Sequence, residues 1–204
     1  MGSDEHDGAT NADLLAALIY ASDGSLARRL LERFGTLYAL MHADVRTIRA
    51  VPGIGSARAR VIRSFPELAR RYYEESLPIG EPIHSPADTR RFLLAKLRDL
   101  GHEMFCCLFL DNRHRVLLFS EMFRGTIDGT SVYPREVVKE ALRINAAAVI
   151  LAHNHPSGIA EPSQADERIT RRLKSALELV DIRLLDHLIV GRSGTTSLAA
   201  RGLL

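Results

Sequence analysis

Cysteine is almost missing from this chain: two occur in 204 residues. They stand side by side, Cys106 and Cys107, inside the apolar run FCCLFL. Adjacent cysteines cannot bridge distant segments, so a disulfide framework is excluded. Both read as small buried hydrophobes of a protein kept in a reducing compartment. No apolar run approaches the ~20 residues needed to cross a bilayer. The opening MGSDEHDGAT is acidic and lacks the apolar stretch of a signal peptide. These features predict a cytoplasmic protein. Charge of one sign is missing too. Lys and Arg number 27 against 25 Asp and Glu, a net charge of +2, so any case for nucleic acid must rest on local clustering. Two familiar zinc signatures fail as well. HEMFC at His102 breaks H-E-x-x-H at its last position, and the lack of P-C-x-x-C argues against a nucleobase deaminase.

What is present suits a folded protein. Hydrophobic residues make up 46% and charged residues 25%, enough for an ordinary core without staples. The chain has no internal repeat, but two regions differ in pattern. Residues 11–77 read as short helices: Asp13 to Tyr20; LARRLLERF capped by Ser25 and stopped by Gly35; Leu37 to His42; and Val45 to Val51. PGIG follows, then ARARVIRS capped by Ser56, and a last helix opened by Pro66. SLPIGEPIHSPAD is rich in Pro and predicts a linker over 78–88. Beyond it helices and strands mix. Thr89 to Leu100 is an amphipathic helix, and MFCCLFLD pairs with RVLLFSEMF as a hairpin. YPREVVKEALRIN is a helix with Pro134 near its start. AAAVILA is a buried strand, a helix runs from Ser163 to about Leu179, and DIRLLDHLIVG is a strand. Strands alternating with helices predict an α/β fold.

The chemistry concentrates in LAHNHPSGIAEPSQAD, residues 151–166. His153 and His155 sit two apart at the end of a strand, so they share a face that Asn154 does not. Asp166 lies in the first turn of the next helix, within reach of the pair. Two imidazoles and a carboxylate make three ligands for zinc, with a fourth position open as catalysis requires. A plain alternative stands beside this. Ser163 and Asp166 form S-x-x-D, a helix-capping pattern that needs no metal, and surface H-x-H pairs are common.

The string H-x-H-P-x-G…S-x-x-D resembles the JAMM motif of MPN-domain metalloproteases. The longer context, from FRGTIDGTSVYPREVVKEALRINAAAVILAHNHPSG to LLDHLIVG, resembles the RadC family across nearly all of residues 82–204. That resemblance implies an MPN fold, a sheet with flanking helices, and Zn2+ held by His153, His155 and Asp166. It also implies a glutamate that hydrogen-bonds the zinc water. Glu103 is favoured on the family pattern, with Glu121 as its rival and a surface charge as the plain reading of either. Ser163 would stabilise the oxyanion. Asp186 and His187 fit the RadC pattern as supporting or packing residues.

VPGIGSARARVI resembles a helix-hairpin-helix. Gly53, Ile54, Gly55 and Arg58 would bring backbone amides and charge to a DNA phosphate, with Arg46, Arg49, Arg60 and Arg63 nearby. A bare packing turn with solvated arginines is the alternative. Three functions therefore compete. The first is a zinc hydrolase of peptide or isopeptide bonds, with a protein or peptide substrate. The second is a DNA-associated repair or recombination protein, with a nuclease as one form of it, binding DNA through the N-terminal hairpin. The third, an MPN scaffold, ranks last because every metal ligand is present.

Overall fold

The structure is a computed structural model that describes residues 9–22, 24–75, 79–125, 131–192 and 194–204. The acidic opening, the first residues of the Pro-rich stretch and residues 126–130 of the RadC-like string lie outside the described residues. The chain forms two compact units that divide between Ala69 and Arg70.

The first unit is helical. It contains α1 (Asn11–Leu18), α2 (Ser25–Phe34), α3 (Leu37–His42), α4 (Val45–Arg49) and the start of α5 (Ser56–Glu75). Three of these begin on side-chain caps. Thr10 and Asp13 form a reciprocal capping box at α1, Thr36 caps α3, and Asp44 caps α4 through two backbone amides. One apolar cluster, with Leu15, Ile19, Leu30, Leu40, Ile48 and Ile62 at its heart, closes the unit.

Three expectations need correction here. Ser25 and Ser56 are the first residues of their helices, not caps. The cap of α2 is Gly24, whose left-handed φ of 67° suits glycine. Pro66 does not open a new helix. It lies inside the 20-residue α5, which continues through it even though proline forfeits one backbone bond.

The second unit is a five-stranded mixed sheet between helical layers. Its elements are α6 (Pro86–Leu97), β1 (Met104–Leu110), β2 (Val116–Arg124), α7 (Pro134–Arg143), β3 (Ala148–Asn154), α8 (Gln164–Glu178), β4 (Arg183–Val190) and β5 (Thr195–Ser197). The strand order is β2-β1-β3-β4-β5; β3 and β4 are parallel and the other pairs antiparallel. The helix expected to begin at Thr89 begins at Pro86, inside the expected linker. Ser85 caps it and proline fills its first turn, the position where a missing amide costs nothing. β5 was not foreseen; three residues carry too little pattern to read.

Alternation along the strands sorts the core into two faces. Cys106, Leu108, Ile150, Ala152 and Leu188 pack toward Phe92, Leu93 and Leu97 of α6. Phe105, Cys107, Phe109, Val149 and Leu151 pack toward α7 and α8. Both cysteines are buried, and burial pushes both thiols up, which fits inert packing residues.

Candidate metal centre

β3 carries a buried hydrophobic run to its end and delivers His153 onto the α7/α8 face, 1% exposed. His155 lies one residue past the strand. Its amide donates to Val190 O at 2.9 Å, which extends the β3–β4 pairing beyond the strand end. The loop that follows turns at Gly158, φ +85°, and packs on the end of β4: Arg192 N donates to Gly158 O at 2.8 Å. A Cβ on Gly191 would fall 2.6 Å from Gly158 O and 2.8 Å from Ala160 N, so only glycine lets the loop sit there. The loop then presents Ile159 O to His155 Nδ1 at 2.9 Å. A carbonyl only accepts, so His155 holds its proton on Nδ1 and leaves Nε2 facing inward.

Asp166 arrives from the first turn of α8. Its Oδ2 accepts from both the Ser163 hydroxyl and the Ser163 amide, each at 2.7 Å, and Ser163 Oγ accepts from Asp166 N, completing the capping box. Its Oδ1 lies 3.1 Å from His153 Nε2, and Oδ2 lies 3.5 Å from His155 Nε2. The capping role and a position facing both histidines, weighed as alternatives from the sequence, coexist on one carboxylate. The two Nε2 atoms are 3.0 Å apart. One potential ligand atom from each of His153, His155 and Asp166 lies within 4.8 Å of the others. This spacing suits side chains that share one positive charge. A single proton can bridge one pair of these acceptors, whereas a divalent cation serves all three. The residues present therefore fit a metal ion.

The electrostatics show the same demand for positive charge. Burial pushes the Asp166 carboxyl up, but the facing imidazoles of His153 and His155 and the Ser163 hydroxyl outweigh it and hold the group far below the usual carboxylate range. His155 is raised, first by its hydrogen bond to Asp166, with Glu103 adding a weaker pull. His187 is fully buried, and burial drives its imidazole well below the ordinary histidine value, so the ring is neutral.

The other expected residues fall as follows. Glu103 is half-buried immediately before β1, near enough for its charge to act on His155. Glu121 pairs with Cys106 and faces the α6 layer, away from the histidines. Ser163 is exposed at the site's edge, its hydroxyl proton aimed at Asp166. Asp186 does not join the cluster. It binds His187 N, Ser197 Oγ and Ala199 N, fastening β4 to the final turn. His187 does join, with Nε2 2.8 Å from His153 Nδ1.

Two residues escaped the sequence reading. Asn154 Oδ1 accepts from Met104 N at 2.8 Å, and its amide donates to His102 O at 3.0 Å. It grips the backbone on both sides of Glu103. Thr170 bonds His187 Nδ1 at 2.6 Å. The one available signal was a buried Asn and a buried Thr where apolar residues would be the default.

The nucleic-acid candidates lie in the helical unit. Gly53 turns at φ +92° and Ile54 is buried at the start of the turn into α5. Gly55 needs no special conformation and has open space around it. Arg58 departs from its expected role as a phosphate ligand. Its Nε, Nη1 and Nη2 donate to Ile19 O, Gly53 O and Tyr20 O at 2.9, 3.0 and 3.2 Å. The guanidinium thus ties the end of α1 to the turn before α5 as an internal staple. Arg29 and Arg63 similarly reach Pro52 O and Met41 O.

Comparison with known proteins agrees with this architecture. The profile of the RadC-like JAB domain matches residues 83–203. A UPF0758 protein of Thioalkalivibrio sulfidiphilus is 60% identical over 179 residues, covering 88% of this chain and 80% of the relative. One from Halorhodospira halophila is 54% identical over 200 residues, covering 96% and 89%. A JAB-type sheet with two histidines at one strand end and an aspartate facing them from α8, and identity of this depth along nearly the whole chain, lead to one assignment: the chain belongs to the RadC-like JAB family of UPF0758 proteins.

Proposed function

We propose that the second unit is a zinc-dependent hydrolase of peptide or isopeptide bonds. The observation that carries this reading is the convergence of His153 Nε2, His155 Nε2 and the Asp166 carboxylate on one point at the rim of the sheet. Two imidazoles and one carboxylate suit zinc and leave a coordination position for water or substrate. Zinc held there would acidify water and polarise the scissile carbonyl. The chain's own residues would do the rest. Glu103 accepts the proton of the attacking water and returns it to the leaving amine. Ser163, its hydroxyl turned from Asp166 toward the substrate, donates to the developing oxyanion; loss of such a donor costs ~3 kcal/mol of barrier. One metal position suits carbonyl hydrolysis better than phosphodiester cleavage, which often uses two.

Elemental analysis of protein purified without chelator should find about one zinc per chain. Hydrolysis of a fluorogenic peptide library and of Lys-ε-linked isopeptides should stop on chelation and return with zinc. Glu103→Gln should keep the metal and lose ~10²- to 10⁴-fold in turnover, whereas His153→Ala should lose both. A folded protein that takes up no divalent metal would sink the reading.

The RadC resemblance also supports a second reading, association with DNA in repair or recombination. The exposed Arg46, Arg49 and Arg60 around the Gly53 turn would then meet backbone phosphate without regard to sequence. Binding to branched or single-stranded DNA that weakens with salt, and weakens in Arg60→Ala, is the expected result. No binding at low salt would remove it.

A further inference from the structure

We propose that Thr170 and His187 are positioning residues of the metal centre: they hold His153 as its Nδ1–H tautomer and so present the Nε2 lone pair to the metal. The inference rests on the metal-site reading above and deepens it.

The argument follows protons along a buried chain. Thr170 Oγ1 lies 2.5 Å from Asp166 O, the carbonyl one helical turn back. A carbonyl only accepts, so the single hydroxyl proton of Thr170 goes there. Thr170 must then accept from its other partner, His187 Nδ1, at 2.6 Å. His187 is fully buried and its ring nitrogens meet Thr170 and His153 rather than a carboxylate, so it stays a neutral ring with one N–H, now placed on Nδ1. Its Nε2 is left bare and must accept at 2.8 Å from His153 Nδ1–H. His153 in turn keeps a bare Nε2, and that atom faces Asp166 Oδ1 and His155. Thr170, His187 and His153 are each at most 1% exposed, so no water competes at any link. Asp166 closes the circuit at both ends, its carbonyl anchoring the chain and its carboxylate facing the metal position.

A backbone irregularity aims His187 at this task. Val149 pairs with Leu184, but Ile150 pairs with Asp186, leaving Leu185 as an extra residue in β4. Leu184 packs on the α7/α8 face and Leu188 on the α6 face, so the strand's alternation reverses between them. Without that shift His187 would point at α6, away from His153. Bulges that re-aim a side chain are a known device beside functional sites.

Thr170→Val removes the hydroxyl at nearly constant volume. His187 can then move its proton to Nε2 and donate to His153 Nδ1, forcing a proton onto the Nε2 that should ligate. Long-range ¹H–¹⁵N NMR of the metal-free protein should show His153 as Nδ1–H in the wild type and losing that form in Thr170→Val. Zinc affinity, read by chelator competition, should fall ~10- to 100-fold, the usual range for partners of metal-bound histidines. Thr170→Ser should restore both readouts. His187→Gln, whose Oε1 can still accept from His153, should bind zinc better than His187→Leu; this pair decides the matter if Thr170→Val does not fold. An Nε2–H His153 in the wild type, or equal zinc affinity across folded variants, overturns the proposal. A wild type that takes up no zinc defeats the metal reading instead, and the tautomer measurement still decides this one.

Discussion

Asp166 meets two demands with one side chain, and its neighbours are arranged around that fact. The capping box holds the carboxylate from behind through Ser163, while the histidines face it from the front. Bonding to Asp166 raises the His155 imidazole, so in metal-free protein it keeps its second proton to higher pH than a free histidine does. The sign of the resulting pH dependence is determined. A raised value stabilises the fold fully below the ordinary ~6.5 of histidine, and this benefit is lost as pH rises through the folded value. Metal uptake runs the other way, since it must displace that proton. Zinc affinity measured by competition should climb as pH is raised from about 6.5 through the folded value, while the melting temperature of the metal-free protein declines over the same interval. A flat affinity profile would mean that His155 does not hold the competing proton.

Strand ends do the positioning, and each is held by an element that contributes no ligand. The end of β4 supports the His155 loop through Gly191, where the backbone approach leaves no room for a methyl group. Gly191→Ala should push the loop outward, cost ~1–3 kcal/mol of stability as overpacking, and lower zinc affinity by moving Ile159 O off His155. A variant that loses stability but binds zinc as the wild type does would show that the loop relaxes without disturbing the ligand. Asn154 does the corresponding work for β1, gripping His102 O and Met104 N on either side of Glu103. Asn154→Ala leaves the buried Met104 amide without its acceptor, at a cost of ~1–3 kcal/mol. It should also reduce turnover on peptide substrates while leaving zinc content intact, since no ligand depends on it. Calorimetry and metal analysis of the same preparation would separate the two effects.

At the scale of the molecule, each unit carries its own core. The helical cluster draws on residues 15–62, and the two sheet-face clusters draw on residues 92–190. All three candidate ligands, the Thr170–His187 chain and Asn154 belong to the second unit. The segment before α6 is part of that unit's structure: Gly80 N donates to Val116 O, and Pro82 bridges to Arg115. A chain beginning at Ile79 should therefore fold and bind zinc with the affinity of the full chain. Loss of metal uptake on that truncation would assign the helical unit a supporting role in the site.

Local sequence determined a great deal here. The run AVILA followed by H-x-H made a buried strand ending in two histidines on one face, because alternation is a property of the extended backbone itself. S-x-x-D announced the start of α8 for an equally local reason. What local pattern could not reach was decided by tertiary structure. Whether Asp166 caps, ligates or does both depends on how α8 lies against β3. Arg58 reads as a phosphate ligand until packing brings the end of α1 within its reach. His187 points at His153 only because β4 slips by one residue against β3. Such a slip is chosen by the fit between whole strands and leaves no mark on the composition of either one.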